Sequence, residues 1–256
     1  MGKHTVIAWT NHTFNPWWGC TRVSPACTSC YAATWARRVG QDIWGDNKAR
    51  RFFGEKHWRE PLEWNSSALE RGARERVFCA SMGDVFEARD DLVEHRIRLW
   101  KLIKETPSLD WLLLTKRVEN VAAMVPWKRR WPTNIWLGTT IEDQEMADLR
   151  MPQLVRLPAR VRFVSCEPLL GEVTLKRWLN RTNWVIVGGE TGAKARPMEI
   201  AWARSLRDEC KKANTPFFFK QWGKWAPDKD DMLRSSQKNI HNRNIDGEQW
   251  NEFPRQ

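Results

Sequence analysis

Trp184-Val185-Ile186-Val187-Gly188-Gly189-Glu190-Thr191-Gly192 decides the fold, together with Val161-Arg162-Phe163-Val164-Ser165-Cys166-Glu167-Pro168 before it. Each stretch starts as an apolar run and ends in small or polar residues. A strand that is apolar without alternation is buried on both faces, as in a parallel sheet covered by helices. Working outward, similar runs occur at Thr5–Trp9, Val77–Met82, Trp111–Thr115, Ile135–Thr139 and Phe217–Lys220. Helix-like segments lie between them, at Tyr31–Val39, Leu92–Lys104, Val118–Met124, Asp143–Val155 and Ala201–Ala213. Leu92–Lys104 shows the period well, with Val93, Ile97, Trp100 and Ile103 on one face. Seven strands alternating with helices predict an α/β fold, a parallel (βα) barrel that is complete or partial.

Two stretches break the rhythm. Gly40–Arg74 is long, charged and Trp-bearing, and reads as an insertion able to cover a barrel mouth. From Lys224 the chain is polar and basic; DGEQW at 246–250 is a turn signal followed by an aromatic. The expected layout is therefore a barrel over residues 1–223 with an insertion at about 40–74, then an extension over 224–256 that folds back on it or is partly disordered.

With 256 residues and 41% hydrophobic side chains the chain can build a real core. No apolar run reaches the ~18 residues a membrane helix needs. The opening MGKHTVIAW lacks a signal peptide's apolar stretch, and Val6 stands where myristoylation wants Ser or Thr, so a cytoplasmic location is expected. Lys and Arg number 42 against 31 Asp and Glu, a net charge of +11, which points to a polyanionic partner such as nucleic acid or to a generally basic surface. The 18 Trp against one Tyr can stack on bases or pack the core and its rim. Lys128, Arg129 and Arg130, between Trp127 and Trp131, form a basic–aromatic loop that either grips a nucleic-acid backbone or is simply solvated.

The chemistry of a parallel barrel gathers at the carboxyl ends of its strands. Here those ends read Ser81-Met82-Gly83-Asp84, Thr115-Lys116-Arg117, Gly138-Thr139-Thr140-Ile141-Glu142, Ser165-Cys166-Glu167-Pro168, Gly188-Gly189-Glu190-Thr191-Gly192 and Lys220-Gln221-Trp222. Six ends in turn offer hydroxyls, carboxylates, cations or glycine, as the rim of a ligand site would. Taken singly, many are ordinary turn or cap residues: Asp84 and Ser165 form turns, and Glu142 with Asp143 can start a helix.

Cys20, Cys27 and Cys30 fall within eleven residues, whereas Cys79, Cys166 and Cys210 are scattered. Three close thiolates can hold three irons of a [4Fe–4S] cube and leave the fourth open to a chelating ligand. Zinc would want a fourth donor, which His12 can supply, and packing is the remaining reading. Cys79 in mid-strand and Cys210 on a helix read as packing residues.

The order NPWWGC-x6-C-x2-CYA, SMGDVF, LLLTKR, WLGTTIED, VSCEPLL, VIVGGETG and FFFKQWG, running from about Ile7 to Pro254, resembles the radical S-adenosylmethionine (SAM) superfamily, in particular a phage- and prophage-associated three-cysteine group. The usual superfamily spacing is three residues then two; here it is six then two, with Tyr31 after the last Cys. The resemblance implies that Cys20, Cys27 and Cys30 hold a [4Fe–4S] cluster whose open iron binds SAM. One-electron cleavage would yield a 5′-deoxyadenosyl radical that takes hydrogen from an unreactive C–H. It implies SAM contacts from Ser81 and Asp84 to the amino group, Lys116 or Arg117 to the carboxylate, Thr139, Thr140 and Glu142 to the ribose, and Gly188 and Gly189 against the adenine. Ser165 and Glu167 would face SAM or substrate. Cys166 would donate hydrogen to a substrate radical or be a small buried hydrophobe, and Lys220 with Gln221 would contact a phosphate or base. The implied substrate is a modified thymine in phage DNA, with isomerisation of an N-linked to a C-linked amino acid on its methyl group. A radical SAM DNA-lesion lyase and a non-enzymatic zinc-stabilised nucleic-acid-binding protein are the alternatives. The implied partners are DNA or a modified nucleotide and an electron donor such as flavodoxin or ferredoxin, with no membrane, in the cytoplasm of an infected or lysogenic host cell.

Overall fold

A computed structural model describes residues 5–228, 231–234 and 243–255. Its seven-stranded sheet comprises β1 (His12–Thr13), β2 (Glu75–Cys79), β3 (Leu109–Thr115), β4 (Ile135–Thr140), β5 (Val161–Cys166), β6 (Trp184–Gly188) and β7 (Phe217–Gln221), ordered as in the chain. Neighbouring strands run parallel, with His12 facing Val77, Val77 facing Trp111, Val164 facing Val185 and Val185 facing Phe217. Sequential order with β1 and β7 as edges makes this an α/β fold of the partial (βα) barrel type. Among the described residues no helix is long and apolar enough to cross a membrane.

The chain divides into two compact units, and β4 runs from one into the other. The first unit holds the chain up to Val23, Ala32–Gly138 and Leu157–Arg160. Its core joins Phe14 edge-on to Trp58 and Trp111, with His57 stacked on Phe14. Three sequence expectations change here. The segment expected as a first strand, Thr5–Trp9, is a turn closed by Thr10 N on Ile7 O at 3.2 Å, and Val6 is fully exposed. The strand is the polar pair His12–Thr13 instead, because His12 stacks on Trp64 and bonds Glu75 at 2.7 Å, contacts that local hydropathy does not show. The supposed insertion contains α2 (Glu55–Glu70), which buries Trp58, Pro61, Trp64 and Ala68 as one stripe, so much of it belongs to the core of this unit. In α3 (Val93–Glu105) Trp100 and Ile103 face inward as expected, together with Arg96, Leu99 and Leu102, while Val93 and Ile97 are exposed. Arg96 fixes that rotation by donating to Val85 O at 2.8 Å and Glu87 O at 2.7 Å.

The second unit holds Ser24–Tyr31, Thr139–Arg156 and the chain from Val161 on. Helix α4 (Gln144–Leu154) starts at Asp143, whose side chain caps Met146 N at 2.9 Å. Helix α5 (Ile200–Ala213) stops at Asn214, left-handed at φ 52°. Phe163, Trp184, Phe217, Phe218 and Phe219 are sealed from solvent in this unit. After β7, the pairs Asn244–Ile245 and Glu248–Gln249 form a hairpin around Asp246 and Gly247, both at positive φ. Beyond it Phe219 N bonds Trp250 O at 2.9 Å and Trp184 Nε1 bonds Glu252 O at 2.8 Å, covering the edge of β7.

Candidate functional site

The first cysteine is set by a tight turn in the first unit. After β1, Asn15 Oδ1 accepts from Met82 N at 2.7 Å and its amide reaches Ser81 Oγ at 3.1 Å, tying the chain to the end of β2. Gly19 N then bonds Met82 O at 2.9 Å. Gly19 sits at φ +113°, and a β-carbon there would lie 2.5 Å from Ile43 O, so only glycine fits before Cys20.

Four buried charges surround the stretch Cys20–Thr21. Arg117, after β3, donates to Asp84 Oδ2 at 3.0 Å, to Thr21 Oγ1 at 2.6 Å, to Thr21 O at 3.1 Å and to the Cys20 sulfur at 3.5 Å. Asp84 also accepts from Thr115 Oγ1 at 2.7 Å and Lys116 N at 3.1 Å. Glu87 accepts from Thr21 Oγ1 at 3.0 Å and takes Arg50 at 2.7 and 3.1 Å. Burial pushes the Cys20 thiol up to about 12, with Asp84 raising it further and Arg117 opposing. Burial acts to lower Arg117, but Asp84 and Cys20 outweigh it and hold the guanidinium charged. Asp84 and Arg117, expected on SAM, are here engaged with each other and with the cysteine turn. Among the described residues the Lys116 ammonium has no hydrogen-bond or ion-pair partner and is half-buried, a cation available to an anion.

In the second unit a 3-10 turn, Pro25–Cys27, carries Cys27, and Cys30 stands just before helix α1 (Tyr31–Arg38). The turn is pinned from two strand ends. Glu142, beyond β4, accepts from Ala26 N at 3.4 Å, and its other oxygen takes buried Arg150 at 2.8 Å. Glu190, beyond β6, holds Arg196 through bonds of 2.7 and 3.0 Å, and Arg196 donates to Pro25 O at 3.2 Å. Ser24 Oγ approaches the Cys27 sulfur at 3.9 Å.

The remaining expected residues of this unit lie at the ends of β4 to β7. Thr139, Thr140 and Ser165 are buried, and Ser165 Oγ donates to Glu167 at 3.3 Å. Lys220 reaches the other oxygen of Glu167 at 3.0 Å with both side chains partly open to solvent. Gly188 leaves room for that carboxylate, since a β-carbon would lie 2.7 Å from Glu167 Oε1. At Gly189 the close neighbour is the backbone of Trp222, 1.9 Å from where a β-carbon would stand. Cys166 is sealed, and burial raises its thiol well above the ordinary range; burial likewise raises Cys79 and Cys210.

The cysteines thus fall into two classes. Cys20, Cys27 and Cys30 are partly accessible as residues and in no disulfide, with the Cys20 sulfur itself turned inward, whereas Cys79, Cys166 and Cys210 are buried. Three cysteines on loops within eleven positions offer the donor count of a cube with one open iron. Among the described residues no three His, Cys, Asp or Glu converge on one ion. Glu87, Arg150 and Arg196 were not among the expected site residues, and Arg50 was expected only as a nucleic-acid contact; Glu87 meets Arg50, and Arg196 meets Pro25, across long stretches of chain that leave no local signal. Lys128, Arg129 and Arg130 are exposed on a loop of the first unit, anchored by Trp127, which packs on Trp100 at 5.1 Å and Trp131 at 5.9 Å.

Residues 4–254 match the family described as "Protein of unknown function (DUF5131)". No curated protein matches. Solved structures similar to the chain include spore photoproduct lyase complexed with dinucleoside spore photoproduct, at 10% identity and TM-score 0.49 over 90% of this chain and 70% of that one. A double mutant of spore photoproduct lyase with bound AdoMet and dinucleoside spore photoproduct is similar at 10% identity and TM-score 0.43, over 85% and 58%.

Proposed function

We propose, for a chain that belongs to the DUF5131 family, a radical SAM enzyme acting on a base in DNA, with Cys20, Cys27 and Cys30 holding a [4Fe–4S] cluster. The observation that carries this reading is the division of the cysteines: three partly accessible residues within eleven positions on loops, against three sealed in the core. When bound, the cluster and SAM supply one-electron cleavage to a 5′-deoxyadenosyl radical, the chemistry that activates an unreactive C–H. The chain supplies position and charge. Gly19, Arg117 and Glu87 fix the turn around Cys20, and Glu142 and Arg196 fix the turn around Cys27. Lys116 offers a cation for the carboxylate of SAM. Ser165, Glu167 and Lys220 form a polar group that can orient a substrate or move a proton at the Glu167 carboxylate.

Within this reading the substrate is a thymine derivative in phage DNA, and the reaction is either isomerisation of an amino acid from N- to C-linkage on the methyl group or cleavage of a lesion. An external one-electron donor of the flavodoxin or ferredoxin kind is required. The test is anaerobic reconstitution with iron and sulfide, followed by assay for 5′-deoxyadenosine from SAM. We expect about four irons per chain, lost in Cys27→Ala and kept in the Cys79→Ser/Cys210→Ser double variant. A colourless zinc protein, or full iron in Cys27→Ala, would remove the proposal. Mass spectrometry of nucleosides from DNA made with and without the gene then separates isomerase from lyase.

A further inference from the structure

We infer that Arg117 sets how readily the proposed cluster accepts an electron, acting through its hydrogen bond to the Cys20 sulfur. The inference rests on the function proposed above, in which Cys20 is a cluster ligand.

The guanidinium is a fixed donor. Its Nη1 lies 3.5 Å from the Cys20 sulfur and 3.0 Å from Asp84, while Nη2 holds Thr21 Oγ1 at 2.6 Å and Thr21 O at 3.1 Å. The side chains of Arg117, Asp84 and Glu87 are each less than a tenth exposed. With Asp84 anchored by Thr115 and Lys116 N, and Glu87 anchored by Arg50, the partners that hold the arginine beside the sulfur are themselves fixed.

That geometry has an electronic consequence. Reduction adds one electron, taken from an external one-electron reductant, and makes the cluster and its thiolate sulfurs one charge more negative. A cationic N–H aimed at a ligand sulfur stabilises the more negative state more than the oxidised one, so it raises the reduction potential. Burial leaves this effect weakly screened. Asp84 works in the opposite sense. Arg50, Arg117, Asp84 and Glu87 sum to zero charge, so removing one member exposes the sulfur to an unbalanced neighbour.

The test uses the full-length chain, reconstituted anaerobically with iron and sulfide and without SAM, titrated with dithionite and followed by electron paramagnetic resonance. Iron per chain is measured on each sample. Arg117→Met should lower the midpoint potential at unchanged iron, so that the reduced-to-oxidised ratio at one fixed potential falls several-fold. Arg117→Lys, which keeps the charge and loses the fork, should lie between Arg117→Met and the unmodified chain. Asp84→Asn should shift the midpoint upward. Unchanged midpoints in Arg117→Met and Asp84→Asn at full iron would overturn the inference. If Arg117→Met takes up no iron, Arg117→Lys and Asp84→Asn decide it by the same shifts. Failure of the unmodified chain to take up iron would instead remove the proposed function itself, and the inference with it.

Discussion

The carboxylate of Glu142 receives the guanidinium of Arg150 at 2.8 Å, with both side chains all but sealed from water. Arg150 also donates to Thr140 O at 2.7 Å, and the second Glu142 oxygen faces Ala26 N. Charges this deep depend on each other, because a buried ion left alone keeps its desolvation cost. Arg150→Met should therefore destabilise the chain by about 3–5 kcal/mol. Adding Glu142→Gln should recover most of that loss, since no charge is then stranded. Urea unfolding of both variants measures it, and equal losses in the single and double variants would show that the pair is not coupled.

Gly189 and Gly54 give opposite expectations for the same substitution. A β-carbon at Gly189 would stand 1.9 Å from Trp222 O, whereas at Gly54 nothing lies within 4 Å. Gly189→Ala must move backbone, so it should cost more than about 3 kcal/mol or abolish folding. Gly54→Ala, at the start of α2, should change stability by about 1 kcal/mol or less. Thermal unfolding of the pair is the measurement. A Gly189→Ala chain as stable as Gly54→Ala would mean that the Lys220–Gly223 segment does not cross Gly189 as described.

Six of the seven sheet strands were legible because a parallel strand buried on both faces is an unbroken apolar run, as Trp184–Val187 shows. β1 was not, since two polar residues form it and their partners, Glu75 and Trp64, come from far along the chain. Helix α2 was hidden by Pro61 and by the charged residues that made Gly40–Arg74 read as an insertion. In α3 the inward Trp100 and Ile103 were legible but the exposure of Val93 and Ile97 was not, because Arg96, a charged residue, occupies the inward face to bond two backbone carbonyls. At the candidate site the cysteine spacing carries a local signal. The anchoring of those cysteines does not: Arg117 meets Cys20, and Arg196 meets Pro25, only after folding brings distant segments together.

His95 should leave a pH signature. Its pKa is lowered from the ordinary 6.5 by burial, with Arg98 adding to the effect, while its ring stacks on Phe52 at 4.0 Å. The folded chain therefore binds a proton less readily than the unfolded one. Stability from the neutral ring is present above the unfolded value and is lost as pH falls from about 6.5 through the lower folded value. Unfolding followed from pH 8 to 5 should show that decline, and it should be smaller in His95→Phe, which keeps the stack. An identical slope in the two chains would assign the decline to other groups.

The basic loop offers the sharpest test of a nucleic-acid partner. Lys128, Arg129 and Arg130 are exposed, while Trp127 beneath them is buried against Trp100. The loop can thus present three cations without needing them for its own packing. A cation that neutralises a phosphate releases condensed counterions, so each contact adds about 0.9 to the magnitude of the slope of log affinity against log salt on duplex DNA, or about 0.7 on a single strand. Replacing all three by Gln should leave the melting temperature within a few degrees, because exposed charges contribute little to stability. The same variant should bind labelled DNA at least tenfold more weakly at low salt, with a slope shallower by about 2 to 3. Single Trp127→Ala would confound the reading by loosening the loop, so the charge variant is the one to compare. Equal affinity and equal slope in the two chains would show that these cations are merely solvated. Absence of DNA binding by the unmodified chain at low salt, together with turnover of a mononucleoside, would move the substrate from polymer to free nucleotide and assign the +11 charge to the general surface.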